Sequence, residues 1–274
     1  LIQLAKKEHA MGVYLDFAVS AAREAGLFLK TNLHKRHSIQ YKGEINIVTD
    51  ADRKSEEMIL RRIEREFPGH DILSEESDAL ERGSEFRWIV DPLDGTTNYA
   101  HGFPVFCVSI ALQRNGEIVM GCIYNPMLDE MFTAEAGSGA LLNGGKISVS
   151  DVADFSKSFL ATGFPYDLRT DRNNNINYFV SLAKQTLAVR RAGSAALDLA
   201  YTAAGRFDGF WELKLHPWDT AAALLMVKEA GGKVSDISGR EYTLGSGSIA
   251  ASNGLIHAEL LARLAGIDPL EKIF

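Results

Sequence analysis

The sequence predicts a layered α/β protein, and three observations carry that prediction. The first half of the chain patterns as an antiparallel meander, the second half alternates strand and helix signals, and the composition is globular throughout. Hydrophobic residues make up 46% and charged residues 24% of 274 residues, which is too apolar for a disordered chain. A chain of this length buries most of its apolar surface in one or two domains.

Taken in order, Tyr14–Leu33 predicts a helix, with Leu15, Ala18, Ala22, Ala25 and Leu29 on one stripe. A second helix is expected from about Asp50 to Phe67, with Ile59, Ile63 and Phe67 four apart and Pro68-Gly69 as its stop. Short strands follow at Asp71–Ser74 and Arg87–Asp91, with Pro92 ending the ladder. Val105–Gln113 and Ile118–Tyr124 flank Asn115-Gly116, a hairpin signal, and Glu130–Ala134 extends the meander. Gly137–Gly145 reads as turns. Beyond it, strands at Phe159–Thr162, Phe207–Trp211, Lys233–Ser235 and Ser248–Ala251 alternate with helices. The helices are expected near Asn174–Thr186, Ala195–Ala204, Pro217–Ala230 and Leu255–Leu264. No Pro/Ser linker, repeat or low-complexity tract divides the chain. We read residues 1–274 as one unit with an antiparallel-sheet half, 1–150, and an α/β half, 151–274.

Composition and missing motifs remove several function classes. Lys and Arg total 29 against 36 Asp and Glu, a net charge of -7 without a basic stretch, so direct nucleic-acid binding is not expected. Two cysteines, Cys107 and Cys122, can make neither a disulfide framework nor a four-thiolate zinc site, and a reducing, cytoplasmic setting is expected. The apolar runs Val105–Leu112 and Ala221–Val227 fall short of half the ~20 residues that span a bilayer, so no membrane partner is expected. Leu142 stands where a dinucleotide fingerprint beginning at Gly137 needs its last glycine. Ala140 and Ile147 break a phosphate loop around Gly145-Lys146. HExxH and GxSxG are absent.

What remains is a set of acids at element ends. The apolar strand Arg87–Val90 delivers Asp91; Asp94-Gly95-Thr96-Thr97-Asn98 reads as a turn entering a short helix. Asp71–Ser74 delivers Glu75-Glu76, and Pro217-Trp218-Asp219 opens a helix. Each acid also has a local explanation. Asp94 could cap a helix, Asp219 could complement a helix dipole, Glu75-Glu76 could be a solvated loop pair, and Asp52 could complete a capping box with Thr49. If Glu75, Asp91, Asp94 and Asp219 converge, like charges demand cations, and an all-oxygen site suits Mg²⁺, Mn²⁺ or Ca²⁺.

These residues resemble the metal-binding signatures of the inositol monophosphatase family. The resemblance rests on Glu75-Glu76-Ser77, on Trp88-Ile89-Val90-Asp91-Pro92-Leu93-Asp94-Gly95-Thr96-Thr97-Asn98, and on Trp218-Asp219-Thr220-Ala221-Ala222. It extends from about Phe17 to Leu261 and includes Asn46–Asp52 and Gly193–Leu199. Ala161–Pro165 and the segment from Arg190 to Asp219 look most like the bacterial SuhB-type branch.

The resemblance implies a five-layer αβαβα sandwich, a homodimer, and two or three Mg²⁺ ions per site. The ligands it implies are Glu75, Asp91, the Leu93 carbonyl, Asp94 and Asp219. Asn46 stands where many members carry an acid, which weakens any role there for a third ion. The implied reaction is in-line attack of an activated water on a phosphate monoester. Glu75 and the Thr96 hydroxyl orient the water, Asp52 supports Thr96, and the phosphate takes N–H bonds from Gly95 and Thr96. Substrate hydroxyls are implied at Gly193, Ser194, Ala195, Glu212 and Asp219, although Ser194 also reads as a plain N-cap. Lys42 near the metals has no assigned role. Among family substrates, inositol monophosphate ranks first. A bisphosphate such as fructose 1,6-bisphosphate would need a second anion pocket, for which Arg190 and Arg191 are the candidates. The resemblance further implies inhibition by lithium. For the SuhB-type branch it implies association with RNA polymerase and Nus factors in transcription antitermination.

Overall fold

A computed structural model describes residues 2–35, 39–41 and 47–268. Lys42 and Asn46 lie outside the described residues. The first half runs α1 (Ile2–Asn32), β1 (Ile39–Tyr41), β2 (Ile47–Thr49), α2 (Asp50–Glu66), β3 (Asp71–Ser74), β4 (Phe86–Asp94), α3 (Thr96–Ala100), β5 (Cys107–Arg114), β6 (Glu117–Asn125), β7 (Glu130–Glu135), β8 (Gly139–Leu142) and β9 (Gly145–Ile147). The second runs β10 (Phe159–Thr162), α4 (Ile176–Ala183), β11 (Ala188–Arg190), α5 (Ala195–Ala203), β12 (Gly209–Leu213), α6 (Pro217–Glu229), β13 (Lys233–Ser235), β14 (Ser248–Ser252) and α7 (His257–Ala265).

Two sheets organise the molecule. One has seven strands in sequence order, β3 to β9, and all its pairings are antiparallel except β3 with β4. The other has the order β11-β10-β12-β14-β13, with β10 parallel to both of its neighbours. α1 and α2 cover one face of the large sheet, α5 and α6 lie between the sheets, and α4 and α7 pack on the far side of the small one. Five layers, α/β/α/β/α, result.

The burial pattern explains the order of the layers. α1 shows Ala18, Ala22, Ala25 and Leu29 of the expected stripe to the large sheet, the alanines allowing close approach. Phe17 is buried beside them, and Leu15 only partly so. α6 has no polar face over Thr220–Val227, where every residue is buried, because it is enclosed by sheet on both sides. Among the described residues no helix is long and apolar enough to cross a membrane.

Several elements depart from expectation. Pro92 does not end β4: the ladder skips it and resumes with Asp94 opposite Cys107, after a bulge between Asp91 and Asp94. The glycine-rich stretch expected as turns holds β8 and β9, and the unpredicted β11 forms an edge of the small sheet. These strands have three or four residues, too few for a visible period.

One close contact fixes the site. A Cβ on Gly121 of β6 would stand 2.5 Å from the Ala222 carbonyl oxygen and 2.9 Å from its Cα, so only glycine lets α6 lie this close to the sheet. Gly121→Ala is expected to cost about 1–3 kcal/mol by overpacking, and to shift α6 with Asp219 at its start. A melting temperature at the wild-type value in thermal denaturation would refute that contact.

Candidate active site

The acids gather at the C-terminal ends of strands and the start of α6. Asp91 ends the regular part of β4, is 1% exposed, and accepts the Leu93 N–H on Oδ1 at 3.0 Å. Oxygens of Asp91, Asp94 and Asp219 all lie within 4.8 Å of one another. Glu75 follows β3 half-buried, and its charge bears on both Asp91 and Asp219. Asp219, at the third position of α6, accepts from the His216 N–H at 2.7 Å, as a first-turn acid does.

This crowding raises the proton affinity of the cluster. Burial, then the charges of Glu75, Asp94 and Asp219, pushes the Asp91 carboxyl well above the usual range. Burial and Asp94 do the same to Asp219. Asp94 is raised by burial, offset by hydrogen bonds from Ser194 and the first turn of α5. Three acid oxygens this close, with no basic side chain bonded to them among the described residues, fit a hard divalent cation with oxygen ligands.

The supports of the cluster come from α2 and α5. Asp94 does not cap α3, whose N-cap is Gly95 at φ 95. It caps α5 instead, accepting Ser194 Oγ at 2.6 Å and Ala196 N–H at 2.8 Å on Oδ2. Ser194 is itself the N-cap of α5 through Leu197 N–H, as its plain N-cap reading expects. On α2, Asp52, Ser55 and Glu56 form a buried polar stripe. Asp52 completes the capping box, with Thr49 N and Oγ1 on Oδ2, and receives Thr96 Oγ1 on Oδ1 at 2.7 Å. Thr96 Oγ1 also lies 3.0 Å from Leu93 O, two acceptors for one proton. Ser55 Oγ donates to Pro92 O at 2.7 Å; Glu56 accepts from Glu76 N–H and Ser77 Oγ. One face of α2 therefore holds both acid-bearing loops. Ser55 and Glu56 escaped the sequence reading, although their i+3 and i+4 spacing from Asp52 was there to be read.

A cavity opens from Asp94, Thr96 and Asp219 toward Ser194, Asp198 and Glu212. Glu212 on β12 is 7% exposed, and Gly163 leaves room for it, since a Cβ there would fall inside contact distance of its carboxylate. Burial and the charge of Asp198 raise the Glu212 carboxyl well above its ordinary value, with Arg191 pulling the other way. Arg191 lines this cavity, whereas Arg190 stacks on Phe159 with 4.7 Å to the ring centroid. The arginine pair is thus split between site and surface. Tyr166 also lines the cavity, and burial together with the four acids raises its phenol.

Fold and site together define a layered α/β protein with a buried carboxylate centre beside a polar cavity. The family model of the inositol monophosphatase family matches residues 11–267. The chain is 44% identical to the inositol-1-monophosphatase of Mesorhizobium japonicum, over 92% of this chain and 96% of that one. It is 42% identical to the Nus factor SuhB of Escherichia coli, over 91% and 95%. The structure of an inositol monophosphatase from Anabaena superimposes with a TM-score of 0.87 at 45% identity, covering 95% of this chain and 98% of that one. The chain belongs to the inositol monophosphatase family, and it is a phosphatase.

Proposed function

We propose that the protein hydrolyses a polyol phosphate monoester, with inositol monophosphate the first candidate, at a Mg²⁺ centre held by Glu75, Asp91, Asp94, Asp219 and the Leu93 carbonyl. The observation that carries this is the cluster of Asp91, Asp94 and Asp219 oxygens within 4.8 Å, a charge density that needs cations to persist at neutral pH. When bound, two or three Mg²⁺ ions supply charge neutralisation for the phosphate and a lowered pKa for a water.

The rest of the chemistry falls to the chain. Thr96 Oγ1, held between Asp52 and Leu93 O, orients the attacking water together with Glu75; as the hydroxyl takes a proton from that water it passes its own to Asp52. Burial raises the Asp52 carboxyl, which favours that transfer. The N–H groups of Gly95 and Thr96 open α3, which no side chain caps, and they donate to the phosphate. Glu212, with backbone at Gly193, Ser194 and Ala195, accepts or donates to the alcohol half. No protein nucleophile is required, because phosphoryl transfer depends on positioning and charge.

The two halves, 1–150 and 151–274, act as one unit in this reading, the first supplying Glu75, Asp91 and Asp94 and the second Asp219 and Glu212. Homodimerisation, lithium inhibition and a cytoplasmic setting belong to the same proposal. Phosphate release from a panel of inositol, sugar and nucleotide phosphates, with and without Mg²⁺ and lithium, tests it. Mg²⁺-dependent, lithium-sensitive release strongest with inositol phosphate is expected; no turnover from folded, Mg²⁺-binding protein would overturn it.

The relatives named Nus factor SuhB support a second reading, association with RNA polymerase and Nus factors. Capture of those proteins by the purified chain, retained in an Asp91→Asn variant, is its expected signature.

A further inference from the structure

We propose that Asp198 is a second carboxyl reading the alcohol half of the substrate, so that the cavity selects polyols offering two hydroxyls, one to Glu212 and one to Asp198. This rests on the phosphomonoesterase reading above and deepens it. Asp198 sits in the first turn of α5, is 1% exposed, and lines the cavity shared by Asp94, Ser194, Glu212 and Asp219. Its Oδ1 is fully buried and has no hydrogen-bond partner.

Such an atom is costly. An unsatisfied buried polar group costs about 1–3 kcal/mol, and native proteins hold few of them. The helix dipole does not explain it, since an acid serving the dipole can do so exposed to water. Its neighbours along α5, Leu197, Leu199 and Ala200, are apolar and fully buried, so the carboxylate is an exception in its own helix. A ligand that supplies the missing partner does explain it.

The chemistry of that ligand follows from the charges. Beyond burial, Asp94 raises the Asp198 carboxyl and Asp198 and Asp94 raise that of Glu212, while Arg191 is the cation that offsets both. This end of the cavity is thus lined by two carboxyls with one cation beside them. An alcohol hydroxyl suits it, since it donates and accepts at once and a protonated carboxyl does the same. Arg191, which lines the same cavity, is the cation beside the two carboxyls.

The test compares myo-inositol 1-phosphate with p-nitrophenyl phosphate, whose leaving group has no aliphatic hydroxyl, on full-length protein with Mg²⁺. Asp198→Ala is expected to raise KM for the inositol phosphate by about tenfold while kcat/KM for p-nitrophenyl phosphate stays within about twofold. Asp198→Asn, which keeps a donor and an acceptor, is expected to restore KM to within about threefold of the wild type. Asp198→Ser, measured alongside, keeps the comparison readable if the alanine variant does not melt cooperatively. Parallel losses on both substrates would make Asp198 structural and overturn the inference, as would a variant that keeps the wild-type preference. A wild type with no preference for the inositol phosphate would overturn the polyol reading itself, which separates the two failures.

Discussion

Asp91→Asn is expected to lower kcat/KM by about three orders of magnitude, the equivalent of several kcal/mol of transition-state charge stabilisation. Asp91 is the most enclosed member of the acid cluster, and Glu75, Asp94 and Asp219 all act on it. Asparagine keeps its volume and can still accept the Leu93 N–H, so the bulge that places Asp94 should persist. What disappears is one charge at the point the carboxylates share. The variant should therefore melt at or above the wild-type temperature without divalent cations, because a like-charge repulsion has gone, and gain less on adding Mg²⁺. Steady-state kinetics across a Mg²⁺ titration, with thermal melts on the same samples, read both effects. Turnover within tenfold of the wild type at saturating Mg²⁺ would show that Asp91 does not anchor the centre.

The acids were legible in the sequence because each ends a short apolar or helical signal with a charge that needs a partner. Asp91 after Trp88-Ile89-Val90 is the clearest case, since a buried strand cannot finish on an unpaired carboxylate at no cost. Long-range partners were not legible. Asp94 looked like a cap for the helix that follows it, yet it caps α5, a hundred residues on. Nothing local marks that, since the bond exists because the small sheet carries α5 over the end of the large one. Asp198 was not singled out for the same reason: its burial is a property of the layers above and below, not of the residues beside it. Pro92 misled in the opposite direction. Its missing N–H interrupts the ladder, but a bulge absorbs the interruption and the strand continues.

Without divalent cations, the acid cluster and the two cavity carboxyls are expected to make the protein lose stability as pH rises above about 4. The sign follows from their raised carboxyls. Asp91, Asp219, Asp198 and Glu212 hold their protons to higher pH in the folded state than the ordinary value near 4 of an unfolded chain. Above that value the folded state binds more protons, so stability is full below it and is lost as pH climbs through the folded values. Asp71 and Asp236 act the other way in a different window: their carboxyls are lowered, Asp236 to about 2, and their contribution is lost only below about 4. Buried His257, lowered to about 4, adds stability as pH rises toward about 6.5 and partly hides the decline there. Subtracting melts with EDTA from melts with Mg²⁺ cancels His257 and Asp236, and leaves the ligand acids together with the cavity pair that feels their charge. Ligands must be deprotonated to bind, so the Mg²⁺-dependent rise in melting temperature should grow from pH 5 to pH 8. At a hundredfold excess over its dissociation constant the cation contributes about 2.7 kcal/mol, and Asp91→Asn should flatten the trend. A Mg²⁺ increment equal at both pH values would mean that protons and cations do not compete for these acids, and would remove the electrostatic argument for the metal centre.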